Sequence, residues 1–137
     1  MKPAGILTLL VTLLIAACSS QLPSPPPTQL TGEWGGDRIQ ITDSAAAHAI
    51  IVSTFCNVDL YPVANVDSAG EFDVHGVRFQ STNVFDVGDS VHMTGTVRGS
   101  TLDVYLALTR LEGEGPPAHH TLTRNQPPDR TGLICLE

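Results

Sequence analysis

Three cysteines carry the most reactive side chains of this 137-residue chain, at Cys18, Cys56 and Cys135. Cys18 follows an apolar N-terminal segment, whereas Cys56 and Cys135 lie in the remainder. In a small exported protein, an even pair of cysteines most simply forms a disulfide. We therefore predict a disulfide between Cys56 and Cys135. Two reduced thiols, or a metal pair with histidine, are the alternatives, and the absence of a Cys-x-x-Cys motif weakens the metal pair.

The histidines are the next candidates for metal or acid–base chemistry. There are five: His48, His75, His92, His119 and His120. A zinc site would need three of them, or two with a carboxylate, to converge in space. His119 and His120 are adjacent in a predicted strand, so they point to opposite faces. We therefore predict exposed or hydrogen-bonded histidines and no metal site.

Two acidic loops are the next candidates for an ion site. Asp67–Asp73 and Asp86–Asp89 are rich in oxygen ligands of the kind that bind calcium, but neither has a known calcium-loop spacing. The chain has no Gly-x-Ser-x-Gly motif, no phosphate-binding glycine loop and no His-Glu-x-x-His motif. We therefore predict no cofactor and no enzymatic activity.

Residues 1–17 have the three parts of a secretory signal. Met1-Lys2 is positively charged, Ile6–Ile15 is an apolar run, and Ala16-Ala17 supplies small residues at a cleavage site. The run is about ten residues long, roughly half of what a helix needs to cross a bilayer. A permanent transmembrane anchor is therefore not expected.

The end of this segment, Ile15-Ala16-Ala17-Cys18, resembles the lipobox of bacterial lipoproteins. The resemblance implies cleavage before Cys18, a thioether-linked diacylglycerol on its sulfur, and usually a third acyl chain on its amine. Two or more chains anchor a protein stably in a membrane. An ordinary secreted protein cut after Ala17 is the alternative. Ser19-Ser20 follows the cysteine where inner-membrane lipoproteins of enteric bacteria tend to carry Asp, which favours the outer membrane of a Gram-negative host.

The chain after the signal divides into a tether and one domain. Residues 18–29 are rich in Ser and Pro and cannot form a core, and Pro25-Pro26-Pro27 favours extended polyproline II. Residues 30–137 suffice for a single small domain. Without the signal, six arginines oppose 14 acids, a net charge of −8. This balance argues against nucleic acid or an anionic lipid surface as a partner.

The clearest strand pattern lies between Val91 and Thr109, where apolar and polar residues alternate on both sides of Gly99-Ser100. Gly-Ser is a suitable two-residue hairpin turn. Folding the chain there pairs Arg98 with Thr101 and brings the apolar residues onto one face. The apolar pairs are Val97 with Leu102, Gly95 with Val104, Met93 with Leu106, and Val91 with Leu108. A slip of one residue would destroy the match, so the register is predicted as well.

Further strands follow the same alternation. They are Arg38–Thr42, His48–Phe55, Asn57–Val66, Glu71–Gln80, His119–Arg124 and Gly132–Leu136. Asp67–Gly70 is predicted to be a turn, and a bulge is predicted at Gly76, where the apolar phase of its strand changes. A short helix opening at Ser44 is an alternative to part of the second strand.

About eight short strands without crossover helices predict an all-β, antiparallel fold. Eight strands can close into a small barrel, and a β-sandwich is the alternative. The segment Gly32-Glu33-Trp34 resembles the Gly-x-Trp opening strand of lipocalin and avidin barrels, which implies a Trp closing one end of a barrel. Trp34 is accordingly a core plug or, alternatively, a ligand contact at the barrel mouth.

A longer resemblance is to a group of uncharacterised bacterial secreted proteins. It rests on Gly32–Gly36, Phe55-Cys56, Gly70–Gly76 and Cys135-Leu136, and it supports the predicted disulfide without implying an activity. We expect a cell-envelope lipoprotein that is a noncatalytic protein-interaction or structural module, held to the membrane through lipid on Cys18. Its partner would be an envelope protein. One alternative is a barrel that binds a small apolar ligand. The other is a protein resembling lipoprotein lysozyme inhibitors, which use a Ser and Lys pair. The chain after the signal has no lysine, which weakens that alternative.

Overall fold

The alternating pattern becomes nine β-strands in the computed structural model, which describes residues 25–54, 57–80 and 88–129. The strands are β1 Glu33–Gly36, β2 Ile39–Ser44, β3 Ala49–Ser53, β4 Asn57–Pro62, β5 Glu71–Gln80, β6 Asp89–Arg98, β7 Thr101–Arg110, β8 Gly113–Glu114 and β9 Ala118–Arg124. Within these ranges, no helix is both long and apolar enough to span a membrane. The predicted all-β class is confirmed.

Eight of the strands form a closed antiparallel barrel. Neighbours pair in the order β1-β2-β3-β4-β5-β6-β7-β9, and β9 returns to β1. The two-residue β8 pairs only with the end of β7 and lies outside the closed ring. The predicted barrel is therefore confirmed over the sandwich.

The β6–β7 hairpin has the predicted register throughout. Arg98 pairs with Thr101, Val97 with Leu102, and the ladder runs on to Ser90 and Thr109. The apolar residues of the predicted pairs point into the barrel, whereas Tyr105 and Ala107 lie on its outer face. A slip of one residue would turn the paired side chains outward, so a strand with one buried face specifies its register. This hairpin contributes a quarter of the barrel wall.

The turn before β5 also forms as predicted. The Asp67 carboxylate accepts hydrogen bonds from the backbone N–H groups of Ala69 and Glu71, at 2.9 and 2.8 Å. The preceding strand ends at Pro62 rather than at Val66. The segment between them instead holds the N-terminal residues, since Leu30 N–H donates to Ala64 O and Val66 N–H donates to Thr28 O.

The predicted bulge at Gly76 is wrong. The ladders from β5 to β4 and to β6 are regular, and Gly76 pairs directly with Val91. The apolar phase changes because Val77 and Phe79 point outward, where they are 40% and 45% exposed. The inward positions at this end of β5 are occupied by Gly76 and Arg78. Neither is a large apolar residue, so the sequence pattern does not mark these positions as inward.

Other boundaries differ from the predictions in small ways. Arg38 and His48 lie in turns with positive φ, so β2 and β3 each begin one residue later than predicted. Residues 45–48 form a hydrogen-bonded turn rather than a helix, with Ala47 N–H donating to Ser44 O. The last predicted strand, Gly132–Leu136, lies outside the described residues.

The barrel interior is filled by a single apolar cluster. Its largest fully buried members are Trp34, Tyr61, Leu30, Ile39, Ile41, Ile50, Met93, Leu102 and Leu122. Two glycines lie beside aromatic rings of the neighbouring strand: a Cβ on Gly76 would lie 2.6 Å from Tyr61 Cδ1, and a Cβ on Gly95 would lie 2.6 Å from Phe72 Cζ. The rings therefore occupy the space that these glycines leave.

Gly76→Ala tests this packing. The added Cβ would lie 2.2 Å from Leu60 O and against the Tyr61 ring, so strand or ring must shift. We expect a loss of about 1–3 kcal/mol in the free energy of unfolding, measured by urea titration of the full chain. Gly115→Ala is the matched control, because its nearest contact would be 3.4 Å and its φ is not positive. An equally stable Gly76→Ala protein would contradict this account of the interior.

Candidate functional site

Trp34 is a core residue at the point where the barrel closes. The indole has no accessible surface, and its Nε1 donates a hydrogen bond of 3.1 Å to Thr31 O. The Arg124 guanidinium lies 4.5 Å from the ring centroid, in cation–π contact. A side chain without accessible surface adjoins no space large enough for a water molecule, so the indole has no free face for a ligand in this arrangement.

The glycines that follow Trp34 have a role in the same place. A Cβ on Gly35 would lie 1.9 Å from Gln126 O, because the chain after β9 crosses directly over β1. That crossing is fixed by Arg38 N–H donating to Asp129 O and Asp129 N–H donating to Gly36 O. The Gly-x-Trp-Gly-Gly pattern therefore combines an aromatic plug with the close backbone approach that only glycine permits.

A charged pair lies inside the opposite wall of the barrel. Asp59 on β4 and Arg78 on β5 are cross-strand partners, and Arg78 Nε and Nη2 donate to the two oxygens of Asp59 at 2.8 and 2.9 Å. The Asp59 side chain is fully buried. The hydrogen bond to Asp59 raises the pKa of Arg78 against the opposing effect of burial. Burial raises the pKa of the neighbouring Tyr61 hydroxyl strongly, and the Asp59 charge adds to it.

The outer face carries a more reactive group of side chains, which we call the outer histidine cluster: Asp73, His75, His92 and Glu114. His75 on β5 and His92 on β6 are direct cross-strand partners, and their rings stack with centroids 4.2 Å apart and planes 12° apart. His92 Nε2 lies 2.8 Å from Asp73 Oδ1, and His92 Nδ1 lies 2.7 Å from Glu114 Oε2. The imidazole of His92 is thus held between two carboxylates.

Three strands supply the side chains of this cluster, and a fourth, β7, lies between two of them. Asp73 and His75 are two residues apart on β5, so both point outward. Glu114 comes from β8 and reaches His92 across β7, where Ala107 is the residue paired with His92. Ala107 is only 4% exposed although it lies on the outer face. A small side chain at this position leaves room for the carboxylate to cross.

The electrostatics of the cluster favour a charged imidazole. Partial burial acts to lower the pKa of His92, but the hydrogen bonds to Asp73 and Glu114 outweigh it, so the pKa is raised. His120, which points toward the interior on β9, shifts the other way. Burial lowers the pKa of His120, and the adjacent His119 adds to that effect.

A shallow groove runs from the cluster across the outer face of β6. It encloses about 500 Å³ and is lined by Asn65, Asp67, Glu71, Phe72, Asp73, Thr94, Gly95, Thr96 and Tyr105. On its far side, the Tyr105 ring stacks on His119 at 4.5 Å between centroids. Asp103 Oδ1 accepts a hydrogen bond from Thr121 Oγ1 at 2.7 Å and lies 3.5 Å from His119 Nε2. The outer wall of β5, β6, β7 and β9 therefore carries paired polar side chains around the groove, while Val77 and Phe79 are exposed at the far end of β5.

The residues singled out from the sequence fall into two sets. Cys18, Cys56 and Cys135 lie outside the described residues, so the lipid attachment and the disulfide stay predictions. Trp34 lies in the core, as the plug interpretation expects. The convergence of His75 and His92 with two carboxylates was missed. The Asp-x-His pattern of β5 could have indicated the site. The register in which β6 pairs with β5, which brings His92 beside His75, could not be predicted from the sequence.

Comparison with known proteins adds no identification. No family model, curated protein or solved structure gives a match to this chain.

The His92 ion pairs predict a specific pH dependence of stability. Because the folded pKa is raised above the ordinary 6.5, the stabilisation is complete below that value and is lost as the pH rises through the folded pKa. The free energy of unfolding of wild type should therefore exceed that of His92→Gln by up to about 1 kcal/mol near pH 6, and by less near pH 8.5. Urea titrations at both pH values measure the difference. His120 contributes to the pH dependence of stability with the opposite sign, but it is present in both proteins, so its contribution cancels in the difference. High salt should narrow the gap, and a gap that widens with pH would contradict the assignment.

Proposed function

We propose that this chain is a lipid-anchored, noncatalytic module of the bacterial cell envelope that acts through the outer wall of its barrel. The anchor rests on the signal segment 1–17, the lipobox ending at Cys18 and the Pro-rich tether. The choice of the outer wall as the interacting surface rests on the contrast between a filled interior and an outer wall that carries the groove and the outer histidine cluster.

The filled interior is the observation that carries the choice between a surface module and a small-ligand carrier. Trp34, Met93 and Leu102 have no accessible surface, and Leu106 and Phe72 have 6% and 5%. Ligand-binding barrels of this size hold their ligand in an apolar interior cavity of several hundred Å³. Here the side chains that would line such a cavity pack against one another, which favours recognition by the outside of the barrel.

The tether joins the barrel at a defined place. Backbone hydrogen bonds attach the chain from Thr28 onward to the connection between β4 and β5, on either side of the Gln29–Asn65 bridge. That connection also contributes Asn65 and Asp67 to the groove. A membrane-anchored N-terminus would therefore place one end of the groove beside the tether. This arrangement suits a surface that engages other components of the envelope.

Lipid attachment is tested by metabolic labelling. The full chain is expressed in a bacterium grown with an alkyne-bearing fatty acid. The wild-type protein should incorporate the label and stay in the membrane fraction. Cys18→Ala should abolish the label and release the protein from the membrane, because the sulfur is the proposed attachment atom. Ser19→Ala is the matched control and should behave as wild type. An unlabelled wild-type protein, or one still beginning at Met1 by mass spectrometry, would refute the anchor.

The closed interior is tested with the fluorescence of Trp34, the only tryptophan of the chain. Titration of the full-length protein with a long-chain fatty acid should leave the emission maximum unchanged, because the indole is enclosed by protein groups. Protein unfolded in urea supplies the reference spectrum of an exposed indole. A saturable shift on titration, with the protein still folded by circular dichroism, would favour the carrier instead.

A further inference from the structure

We propose that Asp73, His75 and His92 form a binding site for a divalent transition-metal ion of the zinc type on the outer wall of the barrel. This inference is independent of the anchor and of the closed interior. It rests on the donor atoms, their placement on two paired strands, and the carboxylate that orients one of the rings.

The donor set has the right chemistry for zinc. Two imidazole nitrogens and one carboxylate oxygen, one from each residue, all lie within 4.8 Å of one another. A tetrahedral zinc ion with arms of about 2.0–2.1 Å needs donors roughly 3.3 Å apart. Asp73 and His75 are exposed, so rotations of their side chains can supply the difference. Imidazole ligands favour Zn²⁺, Cu²⁺ or Ni²⁺ over Mg²⁺ and Ca²⁺, which prefer oxygen alone.

The backbone places these donors rigidly. Asp73 and His75 are two residues apart on one strand, and His92 is the direct cross-strand partner of His75. The β5–β6 ladder is regular from Glu71–Thr96 to Arg78–Asp89, and β5 and β6 each have a second barrel neighbour. Sites built on strands held from both sides keep their geometry better than sites on loops. Three ligands leave a fourth position open to water or to a donor from another molecule.

Glu114 supplies the supporting contact that metal-binding histidines usually have. When His92 Nδ1 donates its hydrogen to Glu114, the lone pair lies on Nε2, the nitrogen that faces Asp73. A carboxylate on the far nitrogen fixes the tautomer and ring orientation of a histidine ligand and increases its basicity. Glu114 is thus a positioning residue, and it comes from β8, which lies outside the barrel ring.

The charges of the cluster also suit a cation. The carboxylates of Asp73 and Glu114 lie on either side of His92, and a divalent ion would balance their two negative charges.

The test is zinc binding by isothermal titration calorimetry. The full-length protein, in detergent and without a polyhistidine tag, is treated with EDTA, dialysed and titrated with Zn²⁺ near pH 7.5. We expect one ion per chain. Loss of a residue that only orients a ligand typically weakens metal binding by about 10–100-fold. His75→Gln and His92→Gln each remove a direct ligand, so each should weaken zinc binding by more than that. His119→Gln is the matched control and should bind as wild type, because in the part of the chain that the structure describes, His119 lies beside Asp103 but belongs to no group of three metal-ligating side chains.

A second variant tests the positioning role of Glu114. Glu114→Ala should weaken zinc binding by about 10–100-fold. Glu114→Gln should bind zinc more tightly than Glu114→Ala, because its amide oxygen can still accept the hydrogen of His92 Nδ1. This recovery by the conservative variant is an effect that simple destabilisation would not produce.

Two outcomes would overturn the site. One is absence of zinc binding by the folded wild-type protein. The other is binding that survives both His75→Gln and His92→Gln, as it would if the cysteines held the metal. Circular dichroism and the urea midpoint verify that each variant is folded. Should His92→Gln fail to fold, the exposed His75 supplies the decisive variant.

Discussion

The contact between β1 and β9 is the one on which the closed barrel depends. Only two residue pairs join the strands, Trp34 with Arg124 and Gly35 with Thr123. The contact is reinforced from inside, where the Arg124 guanidinium stacks on the indole, and from outside, where the backbone at Gln126 crosses the bare Cα of Gly35. A short ladder is thereby enclosed on both faces. Closure in turn removes the free strand edges that an open sheet of this composition would expose to other chains.

Some of this fold followed directly from the sequence, and the reason is local. The β6–β7 hairpin combines a two-residue turn with strict alternation, so a single choice of turn fixes every pair between Val91 and Leu108. The outer histidine cluster had no such constraint. Its two histidines lie on strands joined through a longer connection, which leaves the register open. Glu114 comes from a strand of two residues, too short to show any period.

The interior of β5 shows how a pattern can mislead. In β5 the apolar Phe79 faces solvent and the charged Arg78 faces inward, the reverse of the usual pattern. The sequence therefore looks as if the alternation shifted by one residue, although the strand is regular. This arrangement is possible because Asp59 satisfies Arg78 with two hydrogen bonds inside the barrel. A buried ion pair of this kind recovers little net stability over an apolar pair, but it strongly disfavours any register that separates its members. The same ladder also pairs Val58 with Phe79 and Leu60 with Val77 on the outer face, so one register satisfies both the ion pair and these apolar pairs.

The attachment of residues 28–30 has a mechanical consequence. Their hydrogen bonds with Ala64 and Val66 lie between the N-terminal segment and the barrel ladders. A pull on that segment would be borne first by these few backbone bonds and by the buried Leu30 side chain, before any strand of the ring is loaded. Their rupture would lengthen the segment by a few residues and withdraw Leu30 from the apolar cluster. The resistance of the barrel to tension from its N-terminal side therefore begins at Leu30, ahead of the strand ladders.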